Sequence, residues 1–248
     1  TGGAGFIGSF IIERLLKNNH EVICIDNLST GNINNIKYWA NHPNFQFICH
    51  DVTKEINLKV DRIWHFASPA SPKHYQKDPI MTSKTNFLGT YNLLEIARKN
   101  MAKLLLASTS EIYGDPQVHP QDENYRGYVN PIGQRSCYKE GKRIAESLCH
   151  DYFRTHQTNI SIARIFNTYG PRMNSDDGRV ISNFISKAIR SEEIIINGDG
   201  SQTRAFCYID DLIEGLFKLM ECNYINPINL GNPYEEYSIL EIANIIKR

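Results

Sequence analysis

The chain has 248 residues, 41% of them hydrophobic, and 27 basic side chains balance 27 acidic ones. That length buries a sizeable core in one large or two small domains. Zero net charge gives no electrostatic footing for nucleic acid or an anionic membrane, and the short apolar runs fall far below a bilayer span.

Taken in order, the chain opens on Thr1-Gly2-Gly3-Ala4-Gly5-Phe6-Ile7-Gly8 and passes at once into an apolar helical pattern, Phe10, Ile11, Ile12, Leu15 and Leu16. Glycines at positions 2, 5 and 8 let a backbone turn tightly and approach a pyrophosphate, whose charge rests on the free N–H groups of the helix N-terminus. The next segment, Glu21–Asp26, is a short strand ending in a carboxylate about twenty residues on, where a ribose-binding acid belongs. Together these predict a dinucleotide site, and Asp26 favours NAD over NADP, whose extra phosphate it would repel. A glycine turn of this kind follows a central strand, and none precedes Thr1. The chain also ends inside an expected helix, 238–248. The expectation is therefore a segment of a longer protein, lacking the first strand and the C-terminus.

Further strands are expected at Phe45–Cys49, leading to Asp51, at Arg62–Ala67 and at Lys103–Ala107, with a helix over Met81–Asn100 between the last two. Near-continuous apolar strands alternating with helices predict an α/β Rossmann-type fold, a doubly wound parallel sheet covered on both faces. Ligands in such sheets bind beyond the carboxyl ends of the strands, which places Asp51, Ala67-Ser68 and Ser108–Glu111 at a pocket. His65, inside an apolar strand, is expected in the core. The stiff loop Ser68-Pro69-Ala70-Ser71-Pro72 either connects elements or shapes that pocket.

Tyr138 and Lys142 lie four apart on an expected helix to about His156 and so share one face. An ammonium beside a phenol favours the phenolate, so this pairing predicts a tyrosine with a lowered pKa, able to take a proton from a sugar hydroxyl. A strand at Asn159–Phe166, a helix at Val180–Arg190, a short strand at Ile194–Ile196 and a helix at Asp210–Met220 follow. Asn167, Arg172, Arg179, Gln202 and Arg204 concentrate outside the sheet, and arginine forks suit a diphosphate. The expected organisation is a nucleotide-binding domain over 1–166 and a smaller region over 167–248, with about 203–222 packing back on the first. The six cysteines are scattered, so neither a metal site nor a disulfide framework is expected; Cys24 and Cys49 are expected as buried thiols.

These features resemble the extended short-chain dehydrogenases/reductases that act on nucleotide sugars, and within them the UDP-glucuronate decarboxylases. The most specific stretches are His65–Pro72, Gly114–Pro120, Asn130–Gly133, Cys137–Arg143 and Gly200–Phe206, and the resemblance spans essentially the whole chain. It implies bound NAD, held by Gly2, Gly5, Phe6, Ile7, Gly8, Asp26, Asn27, Ser29, Thr30, Gly31, Asp51, Val52, Phe66, Ala67, Ser68, Thr85, Ala107, Tyr138 and Lys142. It implies UDP-glucuronate as substrate and a 4-keto intermediate that loses CO2, giving UDP-xylose with the cofactor recycled. Tyr138, Lys142, Glu111 and Thr109 carry the implied catalytic roles. Ser110, Asn167, Arg179, Gln202 and Arg204 carry the implied substrate contacts. A 4,6-dehydratase of this kind has an Asp-Glu pair where this chain has Ser110-Glu111, and a hydroxyl cannot replace that acid; a 4-epimerase needs neither carboxylate. A non-catalytic nucleotide-binding homologue is a third reading. The resemblance further implies a homodimer through helices at about Met81–Asn100 and Tyr138–His156. The compartment implied is the cytoplasm, or the Golgi lumen if a membrane anchor precedes the segment.

Overall fold

A computed structural model describes residues 1–247. In chain order it contains α1 (Phe6–Lys17), β1 (Val22–Asp26), β2 (Phe45–Cys49), β3 (Arg62–His65), α2 (Pro72–Tyr75), α3 (Pro79–Lys84), α4 (Thr90–Asn100), β4 (Lys103–Thr109), α5 (Ser136–His156), β5 (Ile160–Ile165), β6 (Thr168–Tyr169), α6 (Val180–Ile189), β7 (Thr203–Ala205), β8 (Cys207–Tyr208), α7 (Ile209–Glu221), β9 (Pro227–Leu230), β10 (Glu236–Ser238) and α8 (Ile239–Lys247). A π-helical turn, Thr85–Gly89, joins α3 to α4, so the expected helix over 81–100 is one rod with a local bulge. Arg248, the last residue of the expected C-terminal helix, lies outside the described residues.

The strands of the main sheet run parallel, β1 beside β2 and, in a second set, β3-β4-β5-β9. Gly2 donates its N–H to Ile25, while Thr1 donates to Trp64 and accepts from Phe66. These two residues therefore lie between β1 and β3. Alternation along β4 divides the core between the sheet's two faces. Leu104 and Leu106 pack with Leu93, Leu94 and Ala97 of α4 and Ala145 and Cys149 of α5. Leu105 packs on the other face with Ile11 of α1 and Ile209, Leu212 and Leu216 of α7. Truncating any of these large side chains to alanine costs about 2–5 kcal/mol. The helices on both faces give the doubly wound α/β architecture expected.

The second region is a small unit in which α6 and α8 bury Phe184, Ile239 and Ile242 beside the antiparallel pair β7–β10. Of the segment at about 203–222, α7 packs on the sheet, whereas Thr203–Ala205 pairs with β10 instead. The strand β9 joins the sheet too, pairing with β5 at Ile162–Ile165, so the 167–248 region returns to the sheet at two places. Ile194–Ile196 forms no strand. Ile194 and Ile196 instead pack against the Phe184 cluster while Ile195 points outward, so apolar burial occurs without a pairing partner. Cys24 is buried but Cys49 is exposed, because β2 pairs only with β1 and lies at an edge. Phe87 is also exposed, on the outer side of the π turn. Among the described residues no helix is long and apolar enough to cross a membrane.

Candidate active site

The carboxyl ends of β3, β4 and β5 open into a cleft of about 320 Å³, closed on its far side by residues of the second region. Ile7, Phe66, Ser68, Ala107, Thr109, Ser110, Glu111, Tyr138, Lys142, Asn167, Arg179 and Arg204 line it. Pro72 and Ala70 also line it, so the stiff loop does shape the pocket.

At one end stands the glycine turn. Gly2 has φ +72°, and a methyl there would sit 2.5 Å from the Phe66 carbonyl carbon; a methyl on Gly8 would overlap the Gly2 carbonyl oxygen. Only glycine permits both the left-handed backbone and this approach. No side chain caps α1, and its first turn carries no acid. Its leading N–H groups therefore form an anion cradle, the donor set that a pyrophosphate requires. Asp26 is buried beneath the turn: Oδ2 accepts from Ala4 N–H at 3.0 Å and Oδ1 from Leu28 N–H at 2.8 Å. The carboxylate thus holds the turn in shape, with lone pairs left on each oxygen. Asn27, Ser29, Thr30 and Gly31 follow it, Asn27 bonding to both Asp51 and Ser29 N–H. Burial raises the Asp51 carboxyl, but hydrogen bonds from Thr53 and Asn27 outweigh it and the net shift is downward. Val52 is buried, and Thr85 sits on the π turn with its hydroxyl bonded to Met81. These residues, with Gly5, Phe6 and Ala67, lie outside the cleft lining, on the side of the glycine turn and its neighbours.

At the other end, β4 runs two residues longer than expected, so Ser108 and Thr109 belong to the strand. Ser108 lines the cleft, and its hydroxyl donates to Glu146, itself held by a two-pronged ion pair with Arg164. Thr109 caps the 3-10 turn that carries Glu111, accepting from Glu111 N–H at 3.2 Å. Tyr138 and Lys142 share the buried face of α5, as their spacing required.

The predicted lowering of the Tyr138 pKa is not what the structure holds. Burial, followed by the negative charge of Glu111, pushes the phenol upward, against smaller opposing effects of Thr109 and Arg179. The Lys142 ammonium donates instead to the Ala107 carbonyl at 2.8 Å, and burial brings its own pKa down to about 8. Desolvation of both groups outweighs their spacing on the helix.

Two residues that sequence reasoning missed complete this end. Arg135 donates through Nε to the Tyr75 hydroxyl and through an η nitrogen to Glu111 Oε1, each at 2.6 Å. Tyr75, fully buried, stacks on Tyr138 with ring centroids 5.1 Å apart and planes at 2°. The signal available was position: Arg135 lies three residues before Tyr138, one helical turn from it. Glu111 Oε2 is buried and has no hydrogen-bond partner among the described residues.

The arginines divide. Arg204 and Arg179 reach the cleft, Arg179 paired with Asp177. Arg172 does not: its guanidinium lies over the Phe10 ring at 4.1 Å and pairs with Glu13, because positive φ at Arg172 turns it back onto α1. Gln202 also stays outside the lining, bonded to Asn197. His65 is a core residue, hydrogen-bonded to Thr1 and Thr90, and burial drives its pKa well down.

A parallel sheet with a glycine turn at one end of the cleft and a Tyr–Lys pair at the other defines a nucleotide-dependent enzyme of the reductase type. The chain belongs to the NAD dependent epimerase/dehydratase family, whose model matches residues 1–231. It is 55% identical, over its whole length, to UDP-glucuronic acid decarboxylase 6 of Arabidopsis thaliana, of which it covers 72%. It is 53% identical to UDP-glucuronic acid decarboxylase 1 of Danio rerio, of which it spans 59%. Among solved structures, a UDP-glucose 4-epimerase of Thermotoga maritima with UDP-glucose is 28% identical, with a TM-score of 0.90 over 99% of this chain and 80% of that one.

Proposed function

We propose that this chain carries the catalytic site of a UDP-glucuronate decarboxylase, releasing CO2 and UDP-xylose with NAD retained through the cycle. The observation that carries this reading is Glu111: a carboxylate with one oxygen buried and unpartnered, in the same cleft as the Tyr138 phenol. An epimerase has no use for that acid. The neighbouring Ser110 cannot be the acid that a dehydratase needs.

The glycine turn and the uncapped start of α1 fit the cofactor's pyrophosphate, and Asp26 fits its ribose. A nicotinamide held there would supply a reversible hydride acceptor for C4 of the sugar. Tyr138, after giving up its own proton to solvent, takes the C4 hydroxyl proton as a phenolate, with Thr109 beside it to hold the ring. The resulting ketone is β to the carboxylate, so the C5–C6 bond breaks with its electron pair moving toward the carbonyl, and CO2 leaves. A proton is then added at C5. Glu111 Oε2 is the nearby group able to hold or relay it, and Tyr138 gives the captured proton back to O4. Lys142 fixes the strand beside the phenol and supplies positive charge while it stays protonated. Arg179 and Arg204 at the rim suit the diphosphate, and Asn167 and Ser110 complete the walls. Incubation of the NAD-loaded protein with UDP-glucuronate should give CO2 and UDP-xylose in equal amounts without added NADH; a product that keeps its carboxylate would refute the reading.

A second copy of the chain is the proposed cover for the exposed Met81, Phe87, Tyr91 and Ile144, which cluster on α3, the π turn, α4 and α5. Phe87→Glu should then yield a monomer by light scattering; an unchanged dimer would refute this surface, and a monomeric parent would refute the dimer.

A further inference from the structure

Resting on the decarboxylase reading, we propose that Arg135 is a positioning residue whose guanidinium, forked between Tyr75 and Glu111, aims the second Glu111 oxygen at the reacting sugar ring. Glu111 enters the cleft from a 3-10 turn after β4, and Tyr138 enters from α5; Arg135 is the residue just before α5 and Tyr75 ends α2. Three segments, the turn after β4, the start of α5 and the end of α2, thus meet in one chain of contacts, Glu111–Arg135–Tyr75–Tyr138. Glu111 Oε1 is taken by Arg135, and Oε2 has no partner. A glutamate side chain left alone would spread over several rotamers, and ordering it at the moment of reaction would cost free energy. The fork removes that freedom beforehand, which is how preorganised groups contribute to rate.

The same guanidinium ties the acid to the base. Its Nε holds the hydroxyl of Tyr75, whose ring lies flat on Tyr138, so the distance between the Glu111 carboxylate and the Tyr138 phenol is set through one rigid plane. A lysine could supply the charge but not two directed N–H bonds at a fixed angle. Arg135 acts here through Glu111 and Tyr75, which distinguishes the proposal from direct recognition of the substrate by the same arginine.

The test is steady-state kinetics on the NAD-loaded enzyme for Arg135→Gln, Arg135→Lys, Glu111→Gln and the double variant Arg135→Gln/Glu111→Gln, with crystal structures of the Arg135 variants. Arg135→Gln should lose about 10²-fold in kcat, the scale of a misplaced catalytic group, with KM held within about threefold. Arg135→Lys should recover no more than about tenfold of that loss. In the Glu111→Gln background, removing Arg135 should cost less than about twofold, because the two act as a unit. A rise in KM that persists in that background, or full additivity of the two losses, would overturn the proposal and assign Arg135 to direct substrate contact. Crystal structures with the Glu111 carboxylate unmoved in Arg135→Gln and Arg135→Lys would overturn it without reference to activity. Parent enzyme that releases no CO2 refutes the decarboxylase reading instead, and the position of Glu111 then decides the positioning claim alone.

Discussion

Lys142 Nζ donates to the carbonyl oxygen of Ala107 at 2.8 Å, anchoring a buried ammonium to the strand that also presents Thr109. Burial brings the Lys142 pKa from 10.5 down to about 8. Its charge is therefore lost in a range where many enzymes still work. Turnover should fall along an alkaline limb with a midpoint near pH 8, as the cation beside Tyr138 disappears, and Lys142→Met should flatten that limb while lowering kcat by about 10²–10⁴-fold. The kcat–pH profile checks both. The effect on stability has the opposite sign. Between the folded and unfolded values only the unfolded chain holds this proton, so Lys142 contributes increasing stability as pH rises from about 8 toward 10.5.

The glycine turn offers a sharper geometric test. Gly8→Ala would drive a methyl into the Gly2 carbonyl oxygen, and Gly2→Ala would add a side chain at φ +72°. Both variants should lose copurified NAD, measured by absorbance of the denatured supernatant. The Gly8 variant should keep its circular dichroism, because only the end of α1 must shift.

Asp26 accepts two main-chain N–H groups from the same turn. In Asp26→Asn, the amide NH2 would face one of those donors and leave it unpaired, at about 1–3 kcal/mol. The melting temperature should fall, NAD should bind more weakly, and discrimination against NADP should shrink. Fluorescence titration with each cofactor reads the last two.

The Glu146–Arg164 pair, capped by Ser108, is buried between α5 and β5. Removing one partner leaves a charge without compensation. Arg164→Met should cost about 3–5 kcal/mol in urea unfolding, and the double variant Glu146→Leu/Arg164→Met should recover most of it.

Much of the fold was legible because its signals are local. The glycine turn, the apolar strands and the Tyr138–Lys142 spacing each follow from backbone sterics or from burial on two faces, and each appears where expected. Ile194–Ile196 was misread because an apolar triplet satisfies burial equally well without a ladder. The strand β9 escaped notice because Pro227–Leu230 is short and owes its place to the open edge of β5. At the site, helical spacing placed Tyr138 and Lys142 together but carried no information on desolvation, which reverses the shift of the phenol. Tyr75 and Arg135 were missed because their roles exist only where α2 and the start of α5 converge, 60 residues apart in sequence. Arg172 misled for a similar reason: an arginine's partner depends on which way its backbone turns, and positive φ sends this one to Phe10 and Glu13.

On the decarboxylase reading, the cleft removes a hydride from C4, releases the neighbouring carboxylate and restores the same hydride. Turnover of UDP-glucuronate carrying deuterium at C4 and carbon-13 in the carboxylate tests all three steps in one reaction. The expected result is labelled CO2 in equal amount to UDP-xylose that keeps its deuterium at C4. A product that retains carbon-13, or a UDP-xylose whose C4 deuterium has been replaced from solvent, would contradict it.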